Sequence, residues 1–245
     1  MTREMMSVVP YKDESAGKKE QVARMFDTIS ARYDFLNHLL SLGIDRSWRR
    51  KAIRMLREGQ PKYILDVATG TGDFAIQALS LNPDKVVGID ISEGMLSKGR
   101  AKLAERKLGE RIELLKGDSE NIPFEGNKFD AVTVAFGVRN FENLERGLQE
   151  IHRVLRPGGQ LVVLEFSKPR IFPFRQIFNF YFRFILPRIG SLVSKDRSAY
   201  RYLPESVRDF PDGERFTAIL RKVGFNQTAC KELTFGISSV YSARK

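Results

Sequence analysis

The chain has 245 residues and a formal net charge of +11, long enough for one elaborated domain that buries a core without metal or disulfide staples. With 42% hydrophobic, 11% aromatic and 29% charged residues it reads as a soluble globular protein and not as a disordered or fibrous one. A single cysteine, Cys230, and two distant histidines, His38 and His152, argue against a disulfide framework and a metal site, while the lack of a signal pattern or a bilayer-length apolar run points to a cytoplasmic compartment.

In chain order, residues 1–17 read as a loose polar terminus. Val22, Met25, Phe26 and Ile29 fall at helical spacing, and Tyr33, Leu36, Asn37 and Leu40 begin a second helical run that ends near Gly43. Residues 47–57 form a third, with Trp48, Ala52, Met55 and Leu56 near one face. From residue 63 short apolar strands alternate with helices: strands over 63–68, 85–89, 111–116, 129–136 and 160–166, helices over 73–81, 92–106 and 143–155. Ser92 is the expected N-cap of the second of these helices. Continuous apolar strands between helices predict a parallel sheet covered on both faces. Beyond residue 201, a helix over 213–223 precedes two strand-like runs, 227–233 and 237–243, that suit an antiparallel pair at one side of the sheet. Cys230 reads as a small buried residue in that edge, and His152 as structural.

The charge is uneven. Residues 168–201 carry eight basic and one acidic side chain, and six of the eighteen phenylalanines: Phe172, Phe174, Phe178, Phe180, Phe182 and Phe184. A basic, aromatic insert on a nearly neutral core suits an anionic surface. Phe174, Ile177, Phe178, Tyr181 and Ile185 share one helical face, either packed on the domain or lining a tunnel, while Arg175, Arg183 and Arg188 can reach phosphates. RNA is the remote alternative for this charge.

The strongest local signal is Asp66-Val67-Ala68-Thr69-Gly70-Thr71-Gly72-Asp73: a strand runs into two glycines and then a helix. Such a turn lets the backbone approach a ligand. Eighteen residues after Gly72, Asp90 ends the next strand, where a carboxylate can accept both hydroxyls of a ribose; Asp118 ends the third strand, within reach of an adenine edge. Two cofactors fit this geometry. Gly70-x-Gly72-x-x-Ala75 matches a lenient dinucleotide fingerprint, but Asp66 beside the turn would repel a pyrophosphate and suits the sulfonium and ammonium of S-adenosylmethionine. At the end of the fourth strand, Val134-Ala135-Phe136-Gly137-Val138-Arg139-Asn140 lacks the acidic or amide residue followed by Pro-Pro-aromatic that base-modifying nucleic-acid methyltransferases usually carry, so no nucleic-acid partner is expected.

The ordered set Asp66, Gly70, Gly72, Asp90, Asp118 and the turn Leu155-Arg156-Pro157-Gly158-Gly159 resembles the class I methyltransferases. Four further segments resemble the quinone-biosynthesis C-methyltransferases. These are Tyr33-Asp34-Phe35-Leu36-Asn37 with Ser41-Leu42-Gly43 and Trp48-Arg49; Phe136-Gly137-Val138-Arg139-Asn140; Arg153 to Gly159 running to Leu164-Glu165-Phe166-Ser167; and Tyr200-Arg201-Tyr202-Leu203-Pro204-Glu205-Ser206 with Phe210-Pro211. The resemblance covers nearly the whole chain from about residue 20. It implies a Rossmann-like α/β fold, a mostly parallel seven-stranded sheet with a C-terminal antiparallel hairpin, N-terminal helices and a helical insert. It divides the chain into a helical substrate cap (1–60), a cofactor-binding core (61–167), the basic aromatic insert on the quinone and membrane side (168–211), and the helix and strands that complete the sheet (212–245).

The same resemblance implies S-adenosylmethionine held by Asp66, Thr69, Gly70, Thr71 and Gly72 at its methionine part, Asp90 and Ile91 at the ribose, Asp118 and Ser119 at the adenine, and Ala135 beside it. At Ala135 the family often carries a serine, so one hydrogen bond is lost. The implied reaction is methylation of a ring carbon of a polyprenyl quinol, demethylmenaquinol before the ubiquinone-precursor benzoquinol, by a protein peripheral to the inner membrane. The reading leaves room for a homodimer and assigns no metal. Arg139 and Asn140 orient the ring, Tyr33, Arg201 and Tyr202 close the site, and a water or a carboxylate such as Asp34 or Asp45 takes the proton, with His38 a lesser candidate. Against this stand another small lipid acceptor, a nicotinamide-dependent oxidoreductase, and a non-catalytic subunit with a degenerate fold.

Overall fold

The computed structural model describes residues 8–11, 13, 15–33, 41, 43–185, 188 and 197–245. Seven strands form one sheet: β1 (Tyr63–Val67), β2 (Lys85–Asp90), β3 (Ile112–Lys116), β4 (Phe129–Ala135), β5 (Leu155–Phe166), β6 (Asn226–Leu233) and β7 (Ser238–Arg244), in the order β3-β2-β1-β4-β5-β7-β6. β1 to β5 pair in parallel, and β7 lies antiparallel between β5 and β6. The expected C-terminal hairpin is therefore present, with its second strand innermost. The chain builds outward from β1 to β3 and then crosses to β4 on the other side of β1. That reversal leaves a crevice at the carboxyl ends of β1 and β4, where ligands of such sheets bind.

The central strands β1, β4 and β5 are apolar on both faces because both are covered. Leu65, Val67, Val132, Val134, Leu161 and Val163 join one core with Ile151, Phe216 and Phe225; Ile64, Ala131, Val162 and Leu164 join the other with Trp48, Ile53 and Phe74. The helices are α1 (Lys18–Ile29), α2 (Ile44–Arg54), α3 (Asp73–Ala78), α4 (Glu93–Glu105), α5 (Leu144–Val154), α6 (Phe174–Phe180), α7 (Arg197–Asp209) and α8 (Glu214–Val223). Ser92 caps α4 as expected, its hydroxyl accepting from the Met95 N–H at 3.1 Å. No helix among the described residues is long and apolar enough to cross a membrane.

Several expectations need correction. The stretch before α1 is tied down where it is described: buried Gln21 accepts from the Tyr11 N–H and donates to the carbonyls of Asp13 and Ala16. The second helical run falls on residues 34–40, outside the described residues. The third begins three residues early, at Ile44, because Gly43 takes a left-handed φ of 73° that turns the chain into it. The sequence pattern places no helix over 197–209, yet α7 forms there and runs through Pro204; Tyr202 and Val207 are buried on this helix, and tertiary packing outweighs the proline penalty. The Leu155 to Gly159 turn lies at the starting edge of β5, the far end of a parallel sheet from the crevice, and Gly158 donates its N–H to the carbonyl of Lys245. It shapes the strand entry and not the cofactor site. Cys230 sits on edge strand β6 as expected, but it is exposed. His152 packs edge-on against Phe225 at 4.9 Å, a structural role.

Gly88 is the register partner of Asp66 on the neighbouring strand. A Cβ there would meet Leu114 at 2.6 Å and Thr69 at 2.7 Å, so only glycine lets the glycine turn sit against β2. Gly88→Ala is expected to lower the melting temperature by several degrees, since overpacking costs about 1–3 kcal/mol. A thermal melt checks this, and the loss should come with a displaced Thr69 in a crystal structure of the variant.

Candidate active site

The turn after β1 is held by two buried carboxylates. Asp66 is 1% exposed. Its two oxygens accept from the Thr69 hydroxyl at 2.6 Å and from the hydroxyl of Thr133, its register partner on β4, at 2.7 Å. Asp90 accepts from the Gly70 N–H at 2.8 Å through one oxygen and from the Ser92 N–H at 2.9 Å through the other. Ala68, Gly70 and Gly72 all take left-handed φ. This answers the choice between cofactors on a physical ground: the Gly70 donor that would face a pyrophosphate is committed to Asp90, and two carboxylates flank the turn. The charge set fits a nucleoside-bearing ligand without phosphates, as S-adenosylmethionine is, and not a dinucleotide.

Three cavities meet at this crevice. The first, with about 630 Å³ of empty space, is lined by Gly70, Asp90, Ile91, Met95, Asp118, Ser119, Ala135 and Phe141. A small one, about 350 Å³, is lined by Asp66, Thr69, Thr71, Phe74 and Arg49. The third is apolar and open, about 1560 Å³, lined by Met25, Trp48, Phe166, Phe178, Phe182, Leu203 and their neighbours, with Asp45, Arg49, Arg139 and Tyr202 among its polar members. Phe26, Tyr33 and Phe136 line both the first and the third, and Tyr33 lines all three. Phe136, at the end of β4, has a φ of 57°, rare for a bulky residue and a mark of local strain at a functional site. Its ring is fixed against Phe166 at 4.6 Å and Trp48 at 6.3 Å.

The far end of the first cavity holds Asp118, which accepts from the Glu120 N–H at 2.9 Å and pairs with Lys19 of α1 at 2.7 Å. Helix α1 closes over this cavity: Asp27 accepts from the Ser92 hydroxyl and the Gly94 N–H, and the Lys18 ammonium donates to the carbonyls of Arg139 and Phe141. Burial pushes the Lys18 ammonium below its ordinary pKa.

On the acceptor side Arg139 forms a buried ion pair with Glu165 at 2.8 Å. Its Nη1 also donates to the Phe136 carbonyl, and its Nε is buried with no hydrogen-bond partner among the described residues. Burial raises the Glu165 pKa against the pull of Arg139. The Tyr202 hydroxyl donates to Asn140 Oδ1 at 3.1 Å, and burial pushes its pKa far up, so Tyr202 works as a neutral donor. Asp45 is buried and accepts from the Ser41 hydroxyl at 2.8 Å.

The structure thus gathers Tyr33, Asp66, Thr69, Gly70, Thr71, Asp90, Ile91, Asp118, Ser119, Ala135, Arg139, Asn140 and Tyr202 around one crevice. Gly72 stands just behind, its carbonyl accepting from Ile76. The Thr71 hydroxyl accepts from Lys102 of α4 and so serves packing as well. Arg201 does not join them: one residue before buried Tyr202 it is turned about 100° around the helix, is exposed, and lines none of these cavities. Asp34 and His38 lie outside the described residues. Sequence reasoning missed Lys19, which carries no signal of its own, and Glu165, which does: a lone carboxylate inside the apolar run Leu161 to Phe166 needs a buried partner.

Burial drives the pKa of both Asp66 and Asp90 from 3.8 to about 6. Because the folded values are raised, their contribution to stability is full below pH 3.8 and is lost as pH rises through about 6, a cost on the order of 3 kcal/mol for each at neutral pH. Asp66→Asn and Asp90→Asn are each expected to flatten the fall in stability between about pH 4 and pH 7 relative to the parent. Denaturant titrations across that range check it, and an unchanged slope would contradict it.

The comparisons with known proteins agree with this geometry. Residues 14–245 match the model of the ubiE/COQ5 methyltransferase family. A demethylmenaquinone methyltransferase of Bacteroides fragilis is 51% identical over 239 residues, 97% of each chain. A ubiquinone/menaquinone biosynthesis C-methyltransferase UbiE of Geotalea daltonii is 47% identical over 93% of this chain and 97% of its own. Among solved structures, a SAM-dependent methyltransferase of Thermotoga maritima, at 22% identity, superposes with a TM-score of 0.60 over 91% of this chain and 99% of that one, a likeness of fold. A family model over nearly the whole length, with relatives near half identity, leaves one conclusion: the chain belongs to the ubiE/COQ5 methyltransferase family.

Proposed function

We propose that this protein transfers a methyl group from S-adenosylmethionine to a ring carbon of a polyprenyl quinol, with demethylmenaquinol as its main acceptor, at a membrane surface. The observation that carries the reading is the meeting of a polar cavity and a large apolar cavity at Tyr33 and Phe136. A polar cofactor and a greasy acceptor can approach each other there. The names carried by the Bacteroides fragilis and Porphyromonas gingivalis relatives, both demethylmenaquinone methyltransferases, favour the naphthoquinol.

Asp90 would hold the ribose hydroxyls, since each of its oxygens keeps a lone pair beyond the backbone bond it makes. Asp118 and Ser119 would meet the adenine edge, with Lys19 displaced or shared. Ala135 offers no hydroxyl and serves as wall. Bound there, the cofactor supplies an electrophilic methyl group on a sulfonium. Carbon becomes the nucleophile when the quinol ring is electron-rich, and removal of a hydroxyl proton sharpens it; a phenol holds that proton with a pKa near ~10. The buried Nε–H of Arg139, without a protein acceptor among the described residues, is suited to bind the ring oxygen as its charge grows. Glu165 keeps that guanidinium rigid and compensated. Asp45, a carboxylate in the wall of the apolar cavity, accepts the proton. Asn140, fixed by Tyr202, positions the ring.

The same cavity is walled by Phe174, Ile177, Phe178, Tyr181 and Phe182 of α6 and the π-helical turn Tyr181–Ile185 that follows it. Away from the cavity, this segment and the residues just before it expose Phe172 (76%), Phe180 (57%) and Phe184, beside exposed Arg170, Arg175, Arg183 and Arg188. One side of the segment thus lines the cavity, and the rest of it is open to solvent. Exposed aromatics among arginines suit the headgroup boundary of an anionic leaflet, and a prenyl chain could pass from the bilayer into the cavity beneath. On this reading residues 1–60 cap the site and 168–211 face the membrane.

The test is transfer of labelled methyl to reduced demethylmenaquinone in detergent, with the reduced ubiquinone precursor in parallel. Transfer to the naphthoquinol is expected; transfer to neither, with the cofactor bound, would overturn the reading. Arg139→Ala should lower kcat by about 100-fold or more with cofactor affinity intact. Phe172→Ser with Phe180→Ser should weaken binding to anionic vesicles about tenfold or more, while activity on a short-chain quinol in solution stays at the parent level.

A further inference from the structure

One buried cation has no part in the chemistry proposed above. Arg49 lies on α2 and is 8% exposed. Its nearest anion among the described pairs is Asp73 at 3.5 Å, longer than a good charge-assisted bond. Its Nε is buried with no hydrogen-bond partner among the described residues. Its guanidinium lies over the Phe136 ring, 5.6 Å from the centroid, and it lines both the small cavity and the apolar one. A desolvated guanidinium so weakly partnered wants an anion.

The small cavity supplies the context. It is lined by one cation, Arg49, and two carboxylates, buried Asp66 and the less buried Asp73, which Lys102 also holds at 2.7 Å, and it continues into the first cavity through Tyr33, Ala68, Gly70 and Ala135. Asp66 already binds two hydroxyls, so it does not close a pair with Arg49. Arg49 and Asp66 line the same cavity with no ion pair between them among the described residues, a set that matches an α-amino acid zwitterion: ammonium toward Asp66, carboxylate toward the arginine fork.

We propose that Arg49 binds the α-carboxylate of the cofactor's aminoacyl tail. The inference rests on the cofactor placement proposed above and adds a recognition residue outside the glycine turn. Helix α2, which walls the acceptor cavity, would thereby sense through Arg49 that the amino-acid end is filled. Arg49 also packs over Phe136, at the opening between the cavities, so cofactor binding would brace that ring before an acceptor enters.

The test compares two ligands that differ in one group, S-adenosylmethionine and its decarboxylated analogue, by calorimetry on the whole protein. Arg49→Met is expected to weaken S-adenosylmethionine about 30-fold to 100-fold and to change the affinity of the decarboxylated analogue less than about threefold. Arg49→Lys should keep part of the discrimination, because it retains the charge and loses the fork. Equal weakening of both ligands, or weakening of neither, overturns the proposal. If Arg49→Met does not fold, Arg49→Lys decides it by the same ratio. Asp90→Ala acts on the adenosyl end common to both ligands, so a failure there counts against the cofactor placement and not against Arg49.

Discussion

The site depends on the burial of two carboxylates at the ends of β1 and β2. Asp66 stands between Gly88 and Thr133 in the sheet register, and its oxygens fasten the turn to β4 through Thr69 and Thr133. Asp90 fastens the other side by taking the Gly70 and Ser92 donors. Burial works against both, and the raised pKa values of about 6 register the cost. A protein retains such groups where a ligand offsets the expense. The pattern also sets which ligand: a turn whose backbone donor is committed to a carboxylate cannot cradle a phosphate, while a ligand rich in hydroxyl and ammonium donors finds acceptors fixed in advance.

The acceptor side is built on the opposite logic. Its walls are aromatic and aliphatic, and its few polar groups are held by one another: Arg139 by Glu165 and the Phe136 carbonyl, Asn140 by Tyr202, Asp45 by Ser41. An ion pair as buried as Arg139 and Glu165 adds little to stability, because desolvation offsets its attraction. Its value is geometric. The guanidinium is locked in the wall of the apolar cavity, with its Nε uncommitted among the described residues. The N-terminal helices and the insert after β5 cover this cavity over Phe136, Arg139 and Phe166 of the core, and the insert also carries the exposed aromatic and basic surface through which the acceptor would arrive.

The core was largely legible in the sequence because its signals are local. Alternating apolar strands and helices, Ser92 as a cap, Gly70 and Gly72 beside two acids, and a C-terminal antiparallel pair all follow from short-range pattern. What escaped is tertiary. Helix α7 escaped, and its packing through Tyr202 and Val207 overrides the local penalty of Pro204. Arg201 and Tyr202 look equivalent in a motif, and only the helix phase separates the buried tyrosine from the exposed arginine. Lys19 meets Asp118 across 99 positions of sequence, a contact no spacing announces. The turn at Pro157 was grouped with the cofactor residues because of where it falls in the chain, yet parallel strands put their starts and ends on opposite sides.

The proposed reaction rests on one spatial relation, the cofactor's sulfur at the opening shared by the polar and apolar cavities. The most direct measurement is a crystal structure of the protein with S-adenosylhomocysteine. The expected result is the ribose on Asp90, the adenine beside Asp118 and Ser119, and the sulfur facing the apolar cavity between Tyr33 and Phe136. A ligand seated in that crevice with its sulfur turned away from the opening, or bound elsewhere on the protein, would contradict it.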